Sequence, residues 1–212
     1  KEIEKLLNEK INYSLSKVLN NIVLRGSKHE LAVIVNVFEL SGDIVRSAKK
    51  ITEKLVDNYN HIVSVWLYYD PSRSQYYLEQ ERPRNSSLHY KKLYGKEFLK
   101  VVFNKKSILM HPMSFMQVNP FIASTLGDYV KNSLNVSLNN SRVLLDLFCG
   151  CGFFSIMAAE NYDNILGMDY SPFAISAAEL NAKRLPKLNP SINVKYLCSN
   201  IDYRSLKSLK NK

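Results

Sequence analysis

Asp146, Gly150, Gly152 and Asp169 have the types and spacing for ligand chemistry. The first three lie in LLDLFCGCGFFSI, residues 144–156, where an apolar strand-like run meets Gly-Cys-Gly and then turns helical. In a parallel sheet, ligands bind outside the carboxyl ends of the strands, where the first strand-to-helix turn meets them. Glycines at 150 and 152 clear that turn of side chains, so the backbone bends sharply and comes close to a ligand. A dinucleotide fingerprint would read G-x-G-x-x-G, yet the third position holds Ser155, and Phe153 and Phe154 fill the interval. That argues against a pyrophosphate ligand. A nucleoside ligand without one fits better, and S-adenosylmethionine is of this kind. Its charged methionine group would lie over the loop near Asp146, and its ribose hydroxyls would donate to the Asp169 carboxylate, a strong type of hydrogen bond.

The remaining candidates are weaker. Cys149, Cys151 and Cys198 are odd in number and form no disulfide framework, which points to reduced thiols and an intracellular protein. Structural zinc favours spacings such as C-x2-C, so the C-x-C pair reads as small residues filling a tight turn, and no metal is expected. Net charge is +10. Residues 1–120 carry 19 Lys and Arg against 12 Asp and Glu, and residues 121–212 carry 10 against 7. Aromatics interleave with cations in RPRNSSLHYKKLYGK, residues 82–96, a composition suited to a phosphate-bearing partner as well as to a plain solvated surface. Arg73, Arg82, Arg84, Tyr90, Lys91 and Lys92 are candidates for contact with such a partner. Sequons at Asn12, Asn85, Asn135 and Asn139 are expected by chance in an Asn-rich chain. No run approaches the ~18 apolar residues of a membrane span, so no membrane partner is expected.

The elements that must position these residues fall into two rhythms. Residues 1–112 read as a small α+β domain: an amphipathic opening helix, a strand at Glu30–Phe38, a helix through Ile44, Ala48, Ile51 and Leu55, and a strand at His61–Tyr69. Shorter strand candidates follow at 75–78, 98–103 and 108–110. This half shows no catalytic constellation. Residues 113–212 alternate differently: a helix at 120–134 capped by Asn119, a strand at 142–148, a helix at 153–161, a strand at 164–169, a helix from Pro172 to about residue 185 capped by Ser171, and a strand at 192–197. Alternation at these lengths predicts βαβ units in a parallel, doubly wound, Rossmann-like α/β sheet. Three strands are fewer than such a sheet uses, so the chain is expected to be a piece of something longer.

SFMQVNP, residues 114–120, lies about 25 residues ahead of LLDLFCGCGFFSI. The pair resembles the RNA uridine-5 methyltransferases, the family that makes 5-methyluridine in tRNA and rRNA. VLRGSKHELAVIVNVF, HIVSVWLYYDPSRS and LYGKEFLKVVFNKKSILMHPMSFMQVN are similar to its central domain, so the likeness covers nearly the whole chain. The resemblance implies a class I, S-adenosylmethionine-dependent methyltransferase domain, incomplete at its C-terminal side. It implies that Gln117 contacts the cofactor through an amide that both donates and accepts. Phe148 matches the aromatic of the loop, Asp169 the ribose acid (usually Glu), and Asn200 a polar position near the adenine. Phe153 departs from the pattern, where an Asn commonly stands.

The family's chemistry, as the resemblance implies it, adds a cysteine thiolate to carbon 6 of uracil, so that carbon 5 takes the methyl group and a carboxylate base then removes its proton. Both groups lie C-terminal to the glycine loop, past the residues present here. No catalytic residue is therefore assigned, and the 212-residue chain is expected to be inactive alone. The alternative is a non-catalytic RNA-binding protein that retains the methyltransferase fold; a third reading, another methyltransferase of this fold with a different substrate or a Rossmann-type nucleotide binder, fits FMQVN poorly.

Overall fold

The computed structural model describes residues 5, 13–73, 89–117, 119–134, 142–185 and 191–209. The chain divides into two compact units, Lys1–Leu99 and Lys100–Lys212.

In the first unit, a short helix α1 (Tyr13–Val18) leads into β1 (Leu19–Gly26), followed by β2 (Leu31–Val37), α2 (Gly42–Asn58), β3 (Ile62–Tyr69) and β4 (His89–Gly95). The strands form one sheet in the order β1-β2-β3-β4. β1 and β2 are antiparallel, β2 and β3 parallel, β3 and β4 antiparallel. The Ser41 side chain caps α2 by accepting from Ile44 N. Its 3.6-residue period then turns Ile44, Ala48, Ile51 and Leu55 onto Val33, Val35, Val37, Val65 and Leu67, which share one face of the sheet by strand alternation.

Two edges differ from the expectation. The opening helix stops at Val18, and 19–26 becomes a strand because Asn20-Asn21 weakens the helix while Ile22, Val23 and Leu24 suit pairing along β2. β4 emerges from the basic stretch noted for its charge and pairs along β3. The strand expected at 75–78 lies outside the described residues.

The second unit begins its elements with the hairpin strands β5 (Leu99–Phe103) and β6 (Lys106–Met110) and the helix α3 (Pro120–Ser133). There follow β7 (Val143–Leu147), α4 (Phe153–Ala158) with a 3-10 turn, β8 (Asn164–Asp169), α5 (Pro172–Ala182), β9 (Asn193–Cys198) and α6 (Tyr203–Leu209). β7, β8 and β9 form a sheet in that order, all parallel, with Asp146, Gly167 and Tyr196 in one register row. Sequence patterning groups the hairpin with the first 112 residues. Its bonds run to the second unit instead: the buried Asn181 side chain on α5 accepts from Leu109 N and donates to Leu109 O, both at 2.8 Å. Phe103 meets Phe153 of α4 edge-on, with ring centroids 5.0 Å apart. Among the described residues, no helix is long and apolar enough to cross a membrane.

Candidate functional site

The turn between β7 and α4 carries three left-handed residues, Phe148 at φ 61°, Gly150 at 56° and Gly152 at 77°. For Phe148 this conformation costs about 1–2 kcal/mol, and its ring is left 68% exposed at the strand end. The two glycines do different work. A Cβ on Gly150 would meet nothing within 4 Å, whereas one on Gly152 would stand 2.4 Å from the Tyr196 hydroxyl. Gly150 therefore leaves one side of the turn open. Gly152 makes room beneath it for the Tyr196 ring.

Asp169 fastens this turn from the neighbouring strand. Its Oδ2 accepts from Gly150 N and its Oδ1 from Ser171 N, each at 2.9 Å. The carboxylate is 6% exposed, so it is no solvated strand-end acid. Two lone-pair positions remain on a group that can accept about four hydrogen bonds. Asp146, also buried, accepts from both the backbone N–H of Ser155, at 3.2 Å, and the Ser155 hydroxyl. Burial pushes the Asp146 carboxyl above its ordinary range, the two Ser155 bonds oppose that, and the charge of Asp169 adds to it. A cation at this strand end would relieve both acids.

Ser155 is thus a residue that the sequence reading used only negatively, as a missing glycine. Tyr196 was also missed, although a signal existed: Gly167 interrupts β8, and a glycine inside a strand marks close approach. The approaching group is the Tyr196 ring, which a Cβ on Gly167 would meet at 2.3 Å. Asn181, the third missed residue, donates to Cys151 O at 3.0 Å and so joins the turn to α5 and the hairpin.

Gln117 is exposed on the segment that leads from β6 to the Asn119 cap of α3. Buried His111, Met113 and Met116 anchor that segment. The His111 ring stacks on Phe173 at 4.5 Å, and its Nδ1 accepts from Met113 N. Asn200 is exposed just past β9. Gly150, Asp146 and Asp169 are thus brought together at one strand end, while no described bond joins Gln117 or Asn200 to them.

The thiols in the turn are buried, and desolvation pushes Cys151 up to about 12 and Cys149 well above its usual range. Neither has the thiolate character of a nucleophile. Cys198 is exposed.

The RNA candidates lie in the first unit. Arg73, at φ 56°, places its guanidinium 4.0 Å from the Phe38 ring centroid. Tyr90 is half exposed on β4, and Lys91 and Lys92 follow it on opposite faces of the strand. Arg82 and Arg84 lie outside the described residues.

A family model described as tRNA (Uracil-5-)-methyltransferase matches residues 76–197 of the 212. The chain belongs to the tRNA (uracil-5-)-methyltransferase family. Among curated relatives, the tRNA/tmRNA (uracil-C(5))-methyltransferase of Shewanella woodyi is 27% identical over 84% of this chain and 47% of its own length. The 23S rRNA (uracil(747)-C(5))-methyltransferase of Xenorhabdus nematophila is 38% identical over 43% of this chain and 24% of its own. The chain thus spans less than half the length of these relatives. A solved structure with the same fold is the Pyrococcus abyssi tRNA (uracil-54, C5)-methyltransferase in complex with S-adenosyl-L-homocysteine, at 22% identity and a TM-score of 0.53 over 84% of this chain and 38% of that one. The fold is accordingly that of the class I methyltransferases.

Proposed function

We propose that this chain is the cofactor-binding part of an enzyme that methylates carbon 5 of uridine in tRNA or rRNA, with S-adenosylmethionine held at the turn between β7 and α4. The observation that carries the reading is the combination at residue 150. Its backbone N–H is fixed by Asp169, and the space where a side chain would point is empty. The group fits the residues present. Asp169 keeps acceptor capacity for ribose hydroxyls, Asp146 and Asp169 together favour a cation, and Phe148 supplies an exposed ring at the rim. Gln117 and Asn200, both exposed, supply amides toward the same ligand. When bound, the cofactor supplies an electrophilic methyl group.

The reacting uridine needs a nucleophile at its carbon 6, and the buried thiols of Cys149 and Cys151 do not suit that role. Cys198 closes β9 beside Asn200, on the adenine side of this reading, so the 212-residue chain alone binds the cofactor without transferring the methyl group. Membership of the family and the names of the Shewanella and Xenorhabdus relatives support RNA as the partner. The test is calorimetric titration with S-adenosylhomocysteine. One-site binding that is abolished in Gly150→Val, with NAD giving no heat, is the expected result. No binding, or preference for the dinucleotide, overturns the reading.

A further inference from the structure

A cavity of about 360 Å3 opens at the far ends of α4 and α5 and is lined by Lys105, Lys106, Ser107, Ile156, Asn181, Arg184 and Leu185. α5 starts at Pro172, close behind Asp169, and ends at Ala182. At 1.5 Å per residue the cavity lies roughly 16 Å along that helix from the cofactor end. Its Arg184 end is thus set apart from the glycine turn, while its Asn181 wall touches that turn through Cys151 O.

Its chemistry is cationic. Lys106 Nζ donates to the carbonyls of Ile156 and Met157, each at 3.3 Å, and pairs with Glu160 at 3.2 Å. The carbonyls at the end of α4, which would repel an anion, are thereby engaged. Arg184 Nη1 donates to Ser107 O at 2.8 Å, leaving the rest of its guanidinium fork unengaged by any bond described. Lys105 sits on the hairpin turn at φ 65°, exposed, and makes no hydrogen bond or ion pair among the described residues. The Ser107 hydroxyl is buried in the wall with no hydrogen-bond partner among the described residues. Nearby, Lys131 shares Glu160 at 2.9 Å, and Asp128 is held by Asn104. Lys105, Lys106, Lys131 and Arg184 thus outweigh Glu160 and Asp128.

We propose that this cavity binds a backbone phosphate of the RNA, an inference that rests on the reading of the chain as part of an RNA methyltransferase. A phosphate brings acceptors for the Arg184 fork and the Lys105 ammonium, which the described residues leave unfilled. Contacts of this kind fix register and orientation and carry no sequence information. The cavity therefore acts as a distal grip on RNA whose target uridine is presented elsewhere.

The test follows the salt dependence of binding of a fluorescein-labelled stem-loop RNA, by anisotropy, to the wild-type chain, Lys105→Ala and Arg184→Lys. Each lost phosphate contact lowers the slope of log affinity against log salt by about 0.7–0.9. Lys105→Ala is expected to show that drop, with S-adenosylhomocysteine affinity unchanged as the control for folding. Arg184→Lys keeps its charge and keeps the wild-type slope. If the wild type binds RNA and Lys105→Ala retains the full slope, the cavity proposal falls while the function stands. If the wild type binds S-adenosylhomocysteine and no RNA, the RNA side of the function falls with it. A final arm titrates inorganic pyrophosphate. Displacement of RNA no stronger than that by equal ionic strength of chloride supports a backbone phosphate, whereas saturable micromolar binding lost in Lys105→Ala assigns the cavity to a free phosphate ligand and overturns the RNA assignment.

Discussion

The Tyr196 hydroxyl occupies the space that a side chain at Gly152 would need, 2.4 Å from the ideal Cβ position. The turn is therefore squeezed from below by β9 and left open above at Gly150. Two alanine substitutions separate these roles. Gly152→Ala combines a left-handed φ of 77° with an overpacked contact, about 1–2 kcal/mol for the first and about 1–3 for the second. Thermal unfolding should fall sharply. Gly150→Ala meets nothing within 4 Å and carries only the conformational cost, about 1–2 kcal/mol, yet it puts a methyl group into the proposed ligand space. Its S-adenosylhomocysteine affinity should fall by more than its stability does. Equal stability losses in the two variants would refute the division of labour.

Asn181 ties three pieces of the second unit together, bonding Leu109 N, Leu109 O and Cys151 O from a position that is 3% exposed. Asn181→Leu leaves those backbone groups unpaired, at about 1–3 kcal/mol for each that water cannot reach. The expected outcome is a large fall in denaturation midpoint. Faster hydrogen exchange at Leu109 should accompany it. Unchanged exchange there would show that the hairpin is held by its apolar contacts alone.

Much of this architecture is legible in the sequence, and the illegible parts share a physical cause. The order of strands and helices from Pro120 to Cys198, the Asn119 and Ser171 caps and the turn at 148–152 follow from periodicity and local chemistry. What periodicity cannot show is which distant group a residue meets. The attachment of the hairpin to α5 depends on Asn181, 72 residues from Leu109. The Tyr196 contact joins three strands through the register Asp146–Gly167–Tyr196. Within the site, the acid and glycine positions could be named in advance, but the use of Asp169 to bond the Gly150 N–H, and the pairing of Asp146 with Ser155, required the fold.

The cysteines give a prediction independent of any ligand. Cys151 is pushed up to about 12 by burial, so its thiolate fraction at pH 8 is on the order of 10⁻⁴. Cys149 is shifted in the same direction. A thiol reagent at pH 8 should modify Cys198, the exposed one, promptly and the other two only after unfolding in denaturant. Two fast-reacting thiols in the native chain would contradict the burial of the turn.

The base of the parallel sheet should be acid-sensitive through one pair. Asp163, beside the start of β8, accepts from Arg142 Nη2 at 2.8 Å, from Arg142 Nε at 3.2 Å and from the Arg142 backbone N–H at 2.9 Å, locking the entry of β7 to that of β8. The Arg142 bonds hold the Asp163 carboxyl down to about 2, from 3.8. A depressed acid contributes its stability fully above the unfolded value, and the contribution fades as pH falls toward the folded one. Asp163→Asn cannot accept the whole Arg fork and should melt below the wild type at pH 7. The gap between the two should then close progressively between about pH 4 and pH 2, because protonation does to the wild type what the substitution has already done. Other carboxylates titrate in this range too, but they are common to both proteins and cancel in the difference. A gap that stays constant down to pH 2 would mean that the Arg142–Asp163 clamp contributes no charge-dependent stability to the sheet.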